Sequence, residues 1–318
     1  MMPKVLLVKT SSLGDIIHNL PALTDLRRFD SQACVDWVVE PVFAAIPGMH
    51  PAVARTIEVA LREWRRGFWR RRERTAMRAA ICELRRERYD AVIDTQGLIK
   101  SALVARLARG PRYGLDWHSA REPLGLFYDQ TFRIPWTLHA VERNRLLVAK
   151  ALGYAVPAQL DYGISAAPRR FDWLGDGPYA VLLHATSDER KLWREQDWLA
   201  VGAHFEGAGL DCILPSGNPR ERERSARLAR GLRRATVAPA LALDEIAALC
   251  TGAHIVVGVD TGLTHLAAAL GAPTVGIYGA TDIAATGIYG AARAINLGGI
   301  GTPPAAGVVI AAAERLAA

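Results

Sequence analysis

Ile255-Val256-Val257-Gly258-Val259-Asp260-Thr261-Gly262-Leu263-Thr264-His265, continuing into Leu266-Ala267-Ala268-Ala269-Leu270-Gly271, reads as a strand, a tight polar turn and a helix. The run Ile255 to Val259 is short, apolar and rich in β-branched residues, the pattern of a strand covered on both faces. Gly262 tolerates backbone angles that other residues resist, so the chain can approach a ligand closely there. The helix that follows offers free N–H groups and the positive end of its dipole, a setting suited to a phosphate. Asp260, Thr261, Thr264 and His265 surround that point with hydrogen-bonding side chains. The same residues also read as an ordinary capped helix with Asp260 or Thr261 as N-cap. The stretch alone leaves both readings open.

Working outward, the same alternation recurs along the chain. Strands are expected over residues 5–9, 35–40 and 91–95, with helices over 15–28, 75–87 and 100–108. Pro157, Pro168, Gly175, Gly177 and Pro178 then punctuate a loosely patterned linker. Beyond it, strands are expected over 179–184, 211–214, 255–259 and 274–278. Helices are expected over 196–206, 220–231, 243–250, 264–270 and 305–317. Strands alternating with helices predict an α/β fold with parallel sheets covered on both faces. Two domains are expected, 1–165 and 166–318, with ligands at the carboxyl ends of the strands. The last helix, about 305–317, is expected to pack back on the first domain.

The chain has 318 residues, half of them hydrophobic and 22% charged, which excludes a disordered or fibrous class. No apolar run approaches the roughly 20 residues that span a bilayer. The opening residues carry too short an apolar core for a signal peptide and are expected to form a first strand. Cys34, Cys82, Cys212 and Cys250 lie far apart, without zinc or disulfide spacing, and read as core thiols of a reducing cytoplasm. No His, Asp, Glu or Cys spacing argues for a metal. The net charge of +7 is concentrated: Arg62, Arg65, Arg66, Arg70, Arg71, Arg72, Arg74 and Arg78 crowd one segment with Trp64, Phe68 and Trp69. Such a stretch attracts something anionic, and exposed aromatics beside arginines suit a lipid interface. A nucleic-acid surface is the competing reading, but no recognised motif of that kind is present, and nucleic acid is not an expected partner.

Three further turns carry chemistry. Lys9-Thr10-Ser11-Ser12-Leu13-Gly14-Asp15 follows the first strand where a phosphate-binding turn would stand, yet matches neither common glycine-rich pattern. It places a carboxylate, Asp15, at a helix start, and pattern alone favours capping over catalysis there. His184-Ala185-Thr186-Ser187-Asp188-Glu189-Arg190-Lys191 offers hydroxyls, backbone N–H groups and one mobile cation, the parts of a phosphate-holding loop. In it, His184 reads as structural. In Pro215-Ser216-Gly217-Asn218-Pro219-Arg220-Glu221, Glu221 is placed to accept from a ribose, although pattern alone makes it a solvated acid. Trp193 and Trp198 read as core, and His118 and His139 as able to reach a cleft.

Taken together and in order, these stretches resemble glycosyltransferase family 9, the lipopolysaccharide heptosyltransferases, and within it the type I enzymes most. The resemblance is carried by Lys9 to Asp15 with His18-Asn19-Leu20-Pro21-Ala22-Leu23, and by Asp36-Trp37-Val38-Val39-Glu40. Tyr89 to Leu98, Asp116-Trp117, Ala120-Arg121-Glu122-Pro123, His139-Ala140-Val141-Glu142-Arg143 and the Asp260 to His265 turn complete it. It implies a GT-B fold, two Rossmann-like doubly wound domains facing across a cleft. It implies inverting, metal-independent transfer of L-glycero-D-manno-heptose from ADP-heptose to the Kdo sugar of Kdo2–lipid A, with no cofactor. Other family members use a different core acceptor, which is the alternative within the enzyme class. Asp15 falls at the position of the general base. Thr186, Ser187, Lys191, Glu221, Asp260, Thr261, Gly262 and His265 fall at donor positions. Ser12, Gly14, Arg62, Arg65, Arg66 and Arg121 fall in acceptor regions. A monomer on the anionic cytoplasmic face of the inner membrane is the form this implies.

Overall fold

The computed structural model describes residues 4–67 and 69–317, in two compact units, Met1–Ile164 and Ser165–Ala318. In the first unit the elements are β1 (Lys4–Val8), α1 (Leu13–Ile17), α2 (Leu20–Phe29), β2 (Cys34–Val39), α3 (Ala45–Gly48), β3 (Val53–Glu58) and α4 (Leu61–Gly67). They continue with α5 (Arg71–Arg86), β4 (Ala91–Asp94), α6 (Ile99–Leu107), β5 (Arg112–Leu115), β6 (Gln130–Phe132) and α7 (Ala140–Leu152). In the second they are β7 (Tyr179–Leu183), α8 (Glu195–Gly207), β8 (Asp211–Leu214), α9 (Pro219–Arg230), β9 (Ala235–Val237) and α10 (Leu243–Gly252). Then follow β10 (Ile255–Val259), α11 (Gly262–Ala269), β11 (Thr274–Tyr278), α12 (Ile283–Thr286), β12 (Ala294–Gly298) and α13 (Ala306–Ala317).

Each unit has one six-stranded sheet with every described pairing parallel. The orders are β3-β2-β1-β4-β5-β6 and β12-β11-β10-β7-β8-β9. Counted within its own unit, the second order is the first read backwards, so both sheets are doubly wound in the Rossmann manner. Strand order reverses between β1 and β4 in one unit and between β7 and β10 in the other. Open α/β sheets bind ligands outside the carboxyl ends of the strands at that point.

Alternation along the strands builds the cores. Ala180 and Leu182 of β7, with Ile255, Val257 and Val259 of β10, belong to the core on one face of the second sheet. Val181, Leu183 and Val256 belong to the core on the other. Successive side chains of a strand point to opposite faces, so a strand buried on both sides must be apolar throughout. Trp193 and Trp198 lie in the first of these cores, as expected. So do Val309, Ala312 and Ala313 of α13, and the last helix packs on α8, β10 and β11 of its own unit.

Several expectations change. The single helix expected over 15–28 is two, α1 and α2, broken at His18 and Asn19, with Pro21 in the first turn of α2 where its missing N–H costs nothing. Strands β3, β5, β6, β9 and β12 and helix α7 carry too little periodicity to be read in advance. Arg145 of α7 donates from Nε to Asp25 Oδ2 of α2 at 2.6 Å, a buried pair that docks the one helix on the other. Cys212 and Cys250 are buried, but Cys34 is partly exposed and Cys82 exposed on α5. Trp64 is buried in the first unit's core. Of the aromatics assigned to a lipid interface, Trp69 is exposed, and Phe68 lies outside the described residues.

Candidate active site

At the switch point of the first unit, the turn after β1 is stitched to the turn after β4. Thr10 N and Ser11 N both donate to Gln96 Oε1, at 3.0 and 3.2 Å. Lys9 Nζ donates to Thr95 O at 2.9 Å and is buried. The β4 turn is itself built around Asp94, which accepts from Ser101 Oγ and Tyr128 OH on Oδ2, and from Gln96 N and Gly97 N on Oδ1. Burial pushes Asp94 above the usual carboxylate range despite those bonds.

Asp15 sits in α1 above this platform. Ser12 N and Ser12 Oγ each donate to its Oδ2 at 2.9 Å. The capping geometry favoured by pattern is therefore present, with Asp15 at the third helical position accepting from the N-cap backbone. It occupies only one oxygen: among the described residues no hydrogen bond reaches Oδ1. Burial alone would raise its pKa, but Lys9, the two Ser12 bonds and Arg121 outweigh it and hold Asp15 below the ordinary carboxylate value. Lys9 in turn is held below the ordinary ammonium value by burial, which outweighs Asp15 and Asp94.

Arg121 thus joins Asp15, and it brings a residue that sequence reasoning gave no role. Arg143 donates from Nη2 to Ser119 O at 2.8 Å and lays its guanidinium 3.6 Å from the centre of the Trp136 ring. Burial, and then Arg121, lower its pKa to about 10. No carboxylate pairs with Arg143 among the described residues, so Arg121, Arg143 and Lys9 form a positive field suited to an anionic ligand. Arg62, Arg65 and Arg66 are exposed on α4. Burial raises the pKa of Glu40 against the pull of Arg62 and Lys100. Gly14 is the second residue of α1 and accepts from His18 N.

The second unit's switch point holds the opposite arrangement, a carboxylate fully engaged. Asp260 Oδ2 pairs with Lys191 Nζ at 2.7 Å and accepts from Thr281 Oγ1 at 2.5 Å. His265 Nε2 lies 3.5 Å from Oδ1. Burial opposes ionisation of Asp260, but His265, Lys191 and Thr281 together carry it far below the usual range. Thr186 Oγ1 donates to Asp260 O at 3.4 Å, joining the turns after β7 and β10. Asp260 is therefore not the N-cap of α11. Thr261 holds that position, without a side-chain bond to the helix. Gly262 opens α11 and is not among the positive-φ glycines, so its value there is the missing side chain and not a special backbone angle. Gly258 matters more than its place in a strand suggested: a Cβ on it would lie 2.1 Å from Thr264 Oγ1, the hydroxyl that donates to Val259 O at 2.7 Å.

Ser187 is exposed, and Glu221 accepts from Gly217 N at 2.7 Å at the start of α9. Among the described residues, no hydrogen bond or ion pair joins either to the Asp260 cluster. Glu189 and Arg220 form an ion pair that ties the Ser187 loop to the Glu221 turn. His184 is structural: it is fully buried and shares a hydrogen bond with Ser225 at 2.8 Å, and burial and then Arg224 lower its pKa to about 4. His139 caps α7 by accepting from Val141 N, and His118 lies against exposed Trp117 with the two rings tilted by 51°. Among the described residues, no group of three or more His, Cys, Asp and Glu side chains is placed to hold a metal.

The model of glycosyltransferase family 9 (heptosyltransferase) matches residues 77–307. The chain is 47% identical over 293 residues to lipopolysaccharide heptosyltransferase 1 of Salmonella typhimurium, spanning 90% of this chain and 92% of that protein. It is 46% identical over 298 residues to the protein of the same name from Pseudomonas aeruginosa, spanning 93% and 83%. Among solved structures it resembles E. coli heptosyltransferase WaaC with ADP, with a TM-score of 0.91 at 42% identity over 98% of this chain and 99% of that one. E. coli ADP-heptose lps heptosyltransferase II shares the fold, with a TM-score of 0.78 at 19% identity over 99% and 98%. Two doubly wound sheets of GT-B type, a carboxylate or cation at each switch point, and these matches agree: the chain belongs to glycosyltransferase family 9, the heptosyltransferases, and is a glycosyltransferase.

Proposed function

We propose that this enzyme moves L-glycero-D-manno-heptose from ADP-heptose to the Kdo residue of Kdo2–lipid A in lipopolysaccharide core synthesis. The transfer inverts the anomeric carbon, needs no metal, and uses Asp15 as base. The observation that carries the mechanism is the Asp15 carboxylate, ionised by Lys9, Ser12 and Arg121, with Oδ1 unbonded at the switch point. The substrate reading draws on relatives: the names of those above, and WaaC structures with ADP and with ADP-2-deoxy-2-fluoro heptose.

The Kdo hydroxyl attacks the anomeric carbon on the face opposite the diphosphate. One C–O bond forms, the bond to the diphosphate oxygen breaks, and the hydroxyl proton passes to Asp15. An ordinary Asp has a pKa of about 3.9, and Asp15 lies lower, so it is a weak base. It accepts the proton late, once bonding to the oxocarbenium-like carbon has made the hydroxyl acidic. Such help is worth roughly 10²–10⁴-fold. The charge that develops on departing ADP is met by Lys191 and by the N–H groups opening α11. Thr186, Ser187, Glu221, Asp260, Thr261 and His265 complete the donor site. Arg121, Arg143, Arg62, Arg65 and Arg66 take the acceptor's carboxylates and phosphates. No helix among the described residues is long and apolar enough to cross a membrane. The exposed arginines dock the monomeric enzyme on an anionic leaflet, each contributing about 1 kcal/mol.

The test is incubation with ADP-heptose and Kdo2–lipid A, followed by mass analysis for one added heptose, with and without a strong chelator. Transfer only onto a heptosylated core would reassign the acceptor. Activity lost to the chelator and restored by a divalent ion would overturn the metal-free reading.

A further inference from the structure

A groove of about 720 Å³ runs between α4, α5 and α6 of the first unit. It plays no part in the proton chemistry. Buried Trp64, Leu84 and Val104 lie along it, with Met77, Ile81 and half-exposed Leu103. Every ionisable side chain that lines it is a cation: Arg62, Arg65, Arg66 and Lys100. Its volume lies in the range of ligand sites, about 300–1,000 Å³. An apolar trough with a purely cationic lining is complementary to one kind of molecule, an anionic amphiphile, whose chain is buried while its head group meets the cations.

One lining residue of the groove, Lys100, reaches the turn after β1. It brings Nζ within 3.5 Å of Ser11 Oγ. Ser11 precedes Ser12, the residue that holds Asp15. Arg62, on the same lining, and Lys100 both pull on the Glu40 carboxylate electrostatically. An amphiphile whose chain lies against Leu103 and Met77 therefore has its head group beside the residues around Asp15.

We propose that this groove binds an acyl chain of the acceptor lipid, with a phosphate of the same molecule on Arg62, Arg65, Arg66 and Lys100. This rests on the acceptor reading above and extends it: the enzyme recognises the lipid part of its acceptor and not the sugar alone. Trp64, which sequence alone placed at a membrane surface, becomes part of the wall.

The experiment compares KM for two soluble acceptors with the same Kdo and phosphate groups, one fully deacylated and one with a single C12 chain, both below micelle concentrations. Each buried methylene is worth about fourfold, the ~0.8 kcal/mol of CH2 transfer. The chain is expected to lower KM at least tenfold in the wild type. Leu103→Gln and the double variant Leu103→Gln/Met77→Gln, neutral and helix-compatible, should erase most of that advantage, with folding checked by circular dichroism. Equal KM values for the two acceptors in the wild type would overturn the groove, while transfer onto both would leave the acceptor reading standing. No transfer onto either would sink that reading instead. If Leu103→Gln weakens binding to phosphatidylglycerol vesicles and leaves the chain's effect on KM unchanged, the groove serves the bilayer and the proposal fails.

Discussion

The two switch-point turns use similar side chains for opposite ends. After β1, Asp15 keeps one oxygen unbonded, and its neighbour Lys9 spends its ammonium on Thr95 O. After β10, Asp260 is engaged on both oxygens, by Lys191 and Thr281 on Oδ2 and by His265 on Oδ1. Both carboxylates are driven below the ordinary value, but by different means. At Asp15 a buried cation and the local Ser12 bonds do it. At Asp260 a closed ring of side-chain partners does it. An ionised carboxylate with one whole oxygen unbonded is equipped to receive a proton, whereas one engaged on both oxygens serves to fix the cation and hydroxyl around it.

The sharpest way to break this contrast is to remove each carboxylate. Asp15→Ala should lower kcat by about 10²–10⁴-fold while the dissociation constant for ADP-heptose, read by calorimetry, stays near the wild-type value. Near-normal turnover would remove Asp15 from the chemistry. Asp260→Ala should act the other way: a stability loss of roughly 1.5–3 kcal/mol in urea titration, with weaker donor binding. If Asp15→Ala destabilised as much as Asp260→Ala, the two sites would not differ in kind.

Acid sensitivity should be common to the two units. Each holds a buried histidine whose pKa is lowered: His50, which accepts from Ala52 N and bonds Thr24, and His184, bonded to Ser225. Both have pKa values of about 4, lowered first by burial and then by Arg27 and Arg224 respectively. The unfolded chain binds a proton below about 6.5 and the folded chain does not until about 4. Their contribution is therefore complete above pH 6.5 and is lost as the pH falls toward 4. Between pH 7.5 and 5 each unit should lose about 2 kcal/mol in denaturant titrations. A flat profile over that range would mean that both rings titrate alike in the folded and unfolded chain. The smallest effect is expected from Ser12→Ala, which removes one of two bonds to Asp15 Oδ2. It should cost about 1 kcal/mol in stability and lower kcat only a few-fold; an Asp15-sized loss would make Ser12 a participant in the chemistry.

How much of this was legible depended on whether the signal was local. The strands at 91–94 and 255–259 and the turns that follow them were readable because a strand buried on both faces must be apolar and a polar turn must end it. The strands at 112–115 and 130–132 were not, because they lie toward a sheet edge and carry Arg112, Tyr113 and Gln130, residues without alternation. Lys191 was readable as a cation in a polar loop, but its pairing with Asp260 was not, since the two are 69 positions apart in the chain. Thr281, Arg143 and Lys100 had no local signal at all. Trp64 was misread because its arginine neighbours made the segment look solvent-facing, while the helix turned the ring inward.

By itself the sequence determined the α/β class, the two-part organisation, the family, and the residue types at each switch point, because short-range pattern dictates strands, helices and turns. Only the tertiary structure decided which carboxylate is engaged on both oxygens and which is left with a spare one. It also decided that the arginine-rich segment lines an apolar groove, and that the last helix belongs to the second core. Ion pairs, burial and grooves depend on side chains far apart in the chain meeting in space, and no local pattern records which ones do.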